Sequence, residues 1–449
     1  MKIHIKKSVI LCTVAACVTF LFLSPTIPDI SSLQGLWHAA SDLLQLRRGQ
    51  TATLDMALLE QLYKQRKENT NVECKNHPVA SSGFATNMFT RNMFYDANTN
   101  SLYCAVPKIG SSVWKRLFLV AHSNKTRDPL SISGLQIHLN RNLQKLSFAR
   151  IPEEKRPEVA KKAFTFMFAR NPFHRVFSAY CDKLFMLSLQ TSRIVNFMRK
   201  ILQEVKVQKP KGRATNGTSN AFVYSGPELN VTFAETLSHA AKSRDPHFLQ
   251  ISKQCNPCDI DFQVLGRLET LDTDSRYVLA KLNRSHVMES SMEDDAFKES
   301  RDQRIIQELV ERVFKVLRSK PKGTTKFKAL VRTWKVFHIR GLVKDDIQFP
   351  LGVADAEKAT ASDMIKLGIH AMNSSGHLTE RLAQREKYYR QAFRSVPLAG
   401  LLSFSRSVLC DCRLFGYDCY PAEIFQGRRD GDEEDNAFSN DKYLYEGLL

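Results

Sequence analysis

The chain is short of carboxylates. Its 449 residues carry 46 aspartates and glutamates against 65 lysines and arginines, a formal net charge of +19. From Arg312 to Lys344 there are eleven basic residues and no acid. A protein this basic calls for an acidic partner: a nucleic acid, an anionic membrane or an acidic glycan. Metal-ligand patterns are also lacking. Cys255 and Cys258 form a single C-x-x-C, with no second one and no H-x-x-x-H to complete a zinc site, so the sequence demands no metal. The nucleotide-binding loop pattern, in which a lysine follows the glycines, is missing too. With no Mg²⁺-binding carboxylate motif beside it, this argues against a kinase.

One uncharged run is present, Ser8 to Ser24, preceded by Lys2, Lys6 and Lys7. At 17 residues it is long for a signal-peptide core and short for a plasma-membrane span. Charge on its N-terminal side predicts residues 1–7 in the cytoplasm, a signal anchor over 8–24 and a body in the secretory lumen. A cleaved signal peptide is the competing reading. Asn124, Asn216, Asn230, Asn283 and Asn373 stand in glycosylation sequons, and eight cysteines lie beyond the apolar run. Both fit a luminal body, the cysteines as disulfides whose pairing the sequence does not give. A luminal protein meets no nucleic acid, which leaves an acidic glycan or an anionic nucleotide as the partner.

Two stretches carry the chemistry. Leu102 to Val106 is apolar and of strand length; Pro107 ends it, Gly110 permits a turn, and Ser111 or Ser112 caps a helix beginning near Val113. Such a turn gathers backbone N–H groups at the positive end of a helix, an anion site with Lys108 beside it. Ala163 to Ala169 reads as a second buried strand. Arg170 stands where it ends and Pro172 in the first turn of the next helix, so Arg170, Arg175 and Ser178 are placed to meet a second phosphate. Taken alone, the stretch reads more readily with Arg175 as a solvated helix residue and Ser178 as a small packing residue.

The remainder divides more coarsely. Residues 25–71 read as a stem, a solvated spacer more readily than a helical homodimer contact, and no sheet pattern appears before Asn100. Residues 72–420 read as the main domain. The run from Arg312 to Lys344 is either a polyanion-docking surface or the basic face of packed helices. An acidic tail, 421–449, reads as disordered.

Three stretches now stand in order. They are Pro107-Lys108 through Trp114-Lys115-Arg116, Phe168-Ala169-Arg170-Asn171-Pro172-Phe173 through Ser178-Ala179-Tyr180, and Cys255-Asn256-Pro257-Cys258 through Gly266-Arg267-Leu268-Glu269-Thr270. With the closing Phe415-Gly416-Tyr417, they resemble the Golgi carbohydrate sulfotransferases that act on chondroitin, dermatan and terminal N-acetylgalactosamine. The resemblance implies an α/β, P-loop-like fold with a central parallel sheet flanked by helices behind a transmembrane helix, and the donor 3′-phosphoadenosine 5′-phosphosulfate. It implies that Pro107, Lys108, Ile109, Gly110, Ser111, Ser112 and Val113 hold the phosphosulfate. Arg170, Asn171, Pro172, Phe173, His174, Arg175, Val176, Phe177 and Ser178 then hold the 3′-phosphate, chiefly through Arg170 and Ser178.

His138 is the first choice for the base that deprotonates a sugar hydroxyl, and His247 the second. Val113 stands where the family usually has asparagine, and Asn171 where it usually has an acid. The family resemblance also implies that 319–390 is a basic insertion in the main domain. The expected activity is sulfation of a glycan hydroxyl, the 4-hydroxyl of N-acetylgalactosamine being the narrower form. A glycan-binding protein on this fold without catalysis is the alternative.

Overall fold

A computed structural model describes residues 55–78, 92–123, 128–187, 231–288, 294–319 and 324–427. The signal anchor, most of the stem, the sequons at Asn124, Asn216 and Asn230, and the end of the acidic tail lie outside them. Among the described residues no helix is long and apolar enough to cross a membrane.

The sheet has four strands in sequence order: β1 (Met93–Asp96), β2 (Ser101–Cys104), β3 (Phe164–Ala169) and β4 (Val264–Arg267). β2, β3 and β4 are parallel, and β1 adds an antiparallel edge. The expected parallel sheet is present, with an edge strand in a region where no sheet pattern had been read. β2 and β3 are buried on nearly every residue, as the apolar runs required. Aromatic rings fill the space between sheet and helix. Trp114 is fully buried, with ring centroids 4.9 Å from Phe166 and 5.1 Å from Phe168.

Before the sheet stands α1 (Met56–Asn76). After β2 comes α2 (Ser111–Ser123), and after β3 comes α3 (Pro172–Tyr180), continued by a π turn over Cys181–Phe185. Then follow α4 (Phe233–Ala240), α5 (Leu271–Lys281), α6 (Asp295–Leu317), α7 (Lys326–Ile339), α8 (Ala361–Asn373), α9 (Leu378–Arg394) and α10 (Leu398–Phe415).

Two of the expected boundaries move. The stem does not extend to residue 71, because α1 is built into the domain. Tyr63 donates to Asp274 at 2.6 Å, Arg66 to the Leu265 carbonyl at 3.1 Å and Thr70 to the Leu414 carbonyl at 2.7 Å. A disulfide then joins Cys74 to Cys258. Residues 319–390 are likewise no appendage. Leu330, Trp334, Phe337 and Tyr388 share one core with Phe173 and Tyr180 of α3. The chain also stays packed past 420, where Phe425 meets Phe173 edge-on at 6.2 Å.

The basic run breaks up on this core. Arg332 is buried and donates to the Phe185 carbonyl at 2.9 Å, while Lys344 pairs with Glu380 at 3.4 Å. Arg312 and Arg340 turn inward onto Asp182. The run is therefore not one docking surface.

Disulfides also join Cys104 to Cys255 and Cys412 to Cys419, leaving Cys181 and Cys410 free. The two cysteines of the C-x-x-C thus serve separate disulfides. Asn283 and Asn373 are both exposed.

Candidate active site

The turn from Pro107 to Gly110 has two residues in the left-handed region, Lys108 at φ +70° and Gly110 at +81°. A lysine held there is uncommon and persists only where its surroundings fix it. Two arginines of the second stretch supply that fixing. Arg175 donates from Nε to the Pro107 carbonyl at 3.1 Å, and Arg170 from Nη1 to the Lys108 carbonyl at 3.0 Å. The turn's carbonyls thus point back into protein, and the first N–H groups of α2 are left to the anion side. Ile109 is fully buried and anchors the turn from below.

Arg175 is fully engaged. Beyond Pro107 it donates to the Leu249 carbonyl at 2.8 Å and the Pro246 carbonyl at 2.9 Å. It is neither a solvated residue nor poised for a phosphate; it ties the turn to the loop that carries His247. Phe173, Val176 and Phe177 also face the core. Asn171 caps α3, accepting from the Phe173 and His174 amides at 2.9 and 3.3 Å. An acid there would make the same cap, so this departure from the family pattern keeps the local structure. Ser178 lies partly open, two turns into the helix.

Burial and then the nearby Arg385 push the Arg170 guanidinium down to about 10, which leaves it a cation at neutral pH. Beside it the His174 ring stacks on Tyr389, centroids 4.1 Å apart. Burial and Arg170 push that imidazole down to about 4, so it stands as a neutral ring. The closing Tyr417 donates to Glu269 at 2.9 Å, and the other Glu269 oxygen accepts from the Asn171 amide at 3.2 Å. The last two sequence stretches therefore close directly on the second.

The sequence did not reveal the centre of the charge. Asp182 lies one helical turn beyond Ser178. Lys108 Nζ approaches its Oδ2 at 3.1 Å and Lys183 Nζ at 3.3 Å; Arg312 bonds its Oδ1, and Arg340 lies 3.6 Å from the same oxygen. Burial works against the carboxylate's charge, but Lys108, Arg312, Lys183 and Arg340 together outweigh it and hold the group well below the ordinary range. At an effective dielectric of about 20, unit charges ~4 Å apart interact by about 4 kcal/mol. Four such partners exceed the several kcal/mol that burying one carboxylate costs. Four cations to one acid leave a strongly positive nest beside the turn. The spacing of Ser178 and Asp182, i and i+4 on one helix face, was the available signal.

Two histidines stand near this nest. His138 Nε2 is 3.1 Å from the Ser112 hydroxyl. The residue is exposed, yet its ring is crowded by protein atoms; that desolvation, then Lys115, Lys183, Arg312 and His247, push it down to about 4. His247 is more enclosed and places Nδ1 2.7 Å from Asp245 Oδ1. Burial lowers its pKa, the Asp245 hydrogen bond opposes that, and Lys183 and Lys108 add to the lowering. Both rings are neutral at neutral pH.

The arrangement is thus a turn that opens the N–H groups of a helix start beside a cation nest and two neutral imidazoles. The description "Sulfotransferase family" fits residues 91–327, just over half of the chain. The chain belongs to the sulfotransferase family. Among curated proteins, this sulfotransferase-family chain is similar to carbohydrate sulfotransferase 11 of Rattus norvegicus, 27% identical over 250 residues covering 56% of this chain and 66% of that one. The Danio rerio protein of the same name is 29% identical over 226 residues, covering 49% and 61%. Carbohydrate sulfotransferase 12 of Xenopus laevis is 26% identical over 256 residues, covering 52% and 59%. The chain spans about two thirds or less of the length of these relatives. No solved structure matches it. Arg340, Arg385 and Tyr417 all lie beyond the matched segment.

Proposed function

We propose that this chain transfers sulfate from 3′-phosphoadenosine 5′-phosphosulfate to a hydroxyl of a glycan. The observation that carries this is the turn at Pro107–Gly110, with Lys108 and Arg170 joined through it. The donor bears anionic groups at two ends, the phosphosulfate and the 3′-phosphate. The residues fit it: Lys108 and the start of α2 suit the first, Arg170 and Ser178 the second. The relatives' names support a carbohydrate acceptor. The surplus of basic residues supports an acidic glycan or glycoprotein, and the narrower reading is the 4-hydroxyl of N-acetylgalactosamine. The disulfides and the N-terminal sequence support a Golgi enzyme anchored by residues 8–24, with its body in the lumen.

In this reaction the acceptor oxygen attacks sulfur in line as the bond from sulfur to the 5′-phosphate oxygen breaks. Lys108 and the N–H groups of α2 stabilise the charge that gathers on the departing phosphate. The hydroxyl proton passes to a neutral imidazole. We assign that role to His247 ahead of His138, reversing the order suggested by resemblance. Asp245 orients the His247 ring and favours its protonated form, leaving Nε2 to accept, whereas desolvation and then the surrounding cations, with no acid to oppose them, make His138 the weaker base.

The test is transfer of radiolabelled sulfate to chondroitin, dermatan, heparan and glycans ending in N-acetylgalactosamine. Label on at least one is expected. No label on any, with nucleotide binding intact, would favour a glycan-binding protein without catalysis. His247→Ala should lower kcat by about 10²-fold or more with donor binding unchanged. A larger loss in His138→Ala would return the role to His138.

A further inference from the structure

Asp182 places an acid where its charge opposes an incoming sulfate or phosphate. Its side chain is only 10% exposed, and both oxygens face cations. Lys108 pairs with no other acid among the described residues. Without Asp182, the lysine would face Arg340 and Lys183 with nothing to offset them. A buried ammonium in that position either turns away or gives up its proton.

We propose that Asp182 is a positioning residue for the donor site: its carboxylate holds Lys108 among Lys183, Arg312 and Arg340, so that the lysine meets the donor as a cation. The catalytic consequence rests on the sulfotransferase reading; the hold on Lys108 does not.

The groups facing Lys108 are Asp182, Cys181 and Lys183 from the continuation of α3, Arg340 from the end of α7, and His247 from its loop. Burial pushes the Lys108 ammonium down to about 7; Asp182 opposes this, while Arg340 and Lys183 reinforce it. Two changes therefore act with opposite signs. Removing the carboxylate lowers the pH at which Lys108 loses its proton, and removing Arg340 raises it. Only the unprotonated amine reacts with an acetylating reagent, so labelling reads the proton directly.

The experiment acetylates the full chain across a pH series and measures modification of Lys108 by mass spectrometry. For Asp182→Asn, labelling at about pH 6 should rise about fivefold, corresponding to a fall of about one unit from about 7. Asp182→Glu should return it toward the parent value, and Arg340→Gln should suppress it. The alkaline limb of donor kcat/KM, which reports the free enzyme, should move in the same directions. Unchanged labelling in Asp182→Asn overturns the proposal. If that variant does not fold, Arg340→Gln decides, and unchanged labelling there overturns it as well. If the parent chain transfers no sulfate, the functional reading fails, while the labelling series still judges Asp182.

Discussion

Positive charge reaches this site by two routes. The turn at Pro107–Gly110 uses backbone: two left-handed residues, a helix start and one lysine within a few positions. The helical half uses side chains: Arg312 and Arg340 come from the end regions of α6 and α7 and meet on an acid from the π turn that continues α3. The first route is local and stands on a conformation few residues adopt. The second is assembled only when distant helices pack, and its members are individually ordinary. One local change should therefore disable the turn, whereas the nest should lose function by steps.

The largest effect is expected at Lys108. Lys108→Ala should cut kcat by about 10²–10³-fold, the range for removing one preformed charge stabiliser. Its melting temperature should hold, because Lys108 fills no part of the core. Normal turnover would remove the turn from the donor site. Next is Gly110→Ala. At φ +81° an alanine is strained by about 1–2 kcal/mol, and its methyl would stand 3.1 Å from Leu268. We expect a lower melting temperature and about tenfold weaker nucleotide binding. Unchanged binding would show that the turn tolerates another shape. Arg340→Ala comes third, with a few-fold loss in kcat/KM and a stable fold, because three cations remain on Asp182. A loss as large as that of Lys108→Ala would erase the contrast between the routes.

The same contrast explains what could be read beforehand. β2, the turn and α2 were legible because strand, breaker and cap follow one another within about fifteen residues. β3, Arg170 and Pro172 were legible for the same reason. Asp182 was not, because its meaning lies in partners 74, 130 and 158 positions away in the chain, the differences from Lys108, Arg312 and Arg340. α1 reads as a stem in the sequence because, apart from Leu59, the residues it buries carry polar groups. Tyr63, Arg66 and Thr70 are buried through hydrogen bonds, and no apolar stripe announces them. In the basic run, inward and outward arginines are the same letter; packing alone separates Arg332 and Arg340 from solvated neighbours. The two histidines were found as residue types, but Asp245 beside His247 became a chemical argument only with its 2.7 Å contact.

The smallest effect tests whether the far end of the chain helps to shape the donor site. Tyr417 lies beyond the matched family segment, yet its hydroxyl donates to Glu269, whose other oxygen accepts from the Asn171 amide. Tyr417→Phe leaves the ring where it packs over Arg267, 5.1 Å away, and removes only the hydrogen bond. The expected cost is about 0.5–1.5 kcal/mol of stability, since Glu269 is exposed and water can replace the phenol. If Glu269 then shifts, the cap at Asn171 loosens and Arg170 moves with it. The donor KM should rise about two- to threefold with kcat unchanged, a pattern that belongs to binding shared by ground and transition states. A fall in stability with no change in KM would confine Tyr417 to holding the domain together. The donor site would then be shaped within the matched segment, apart from the charge that Arg340 brings to the nest.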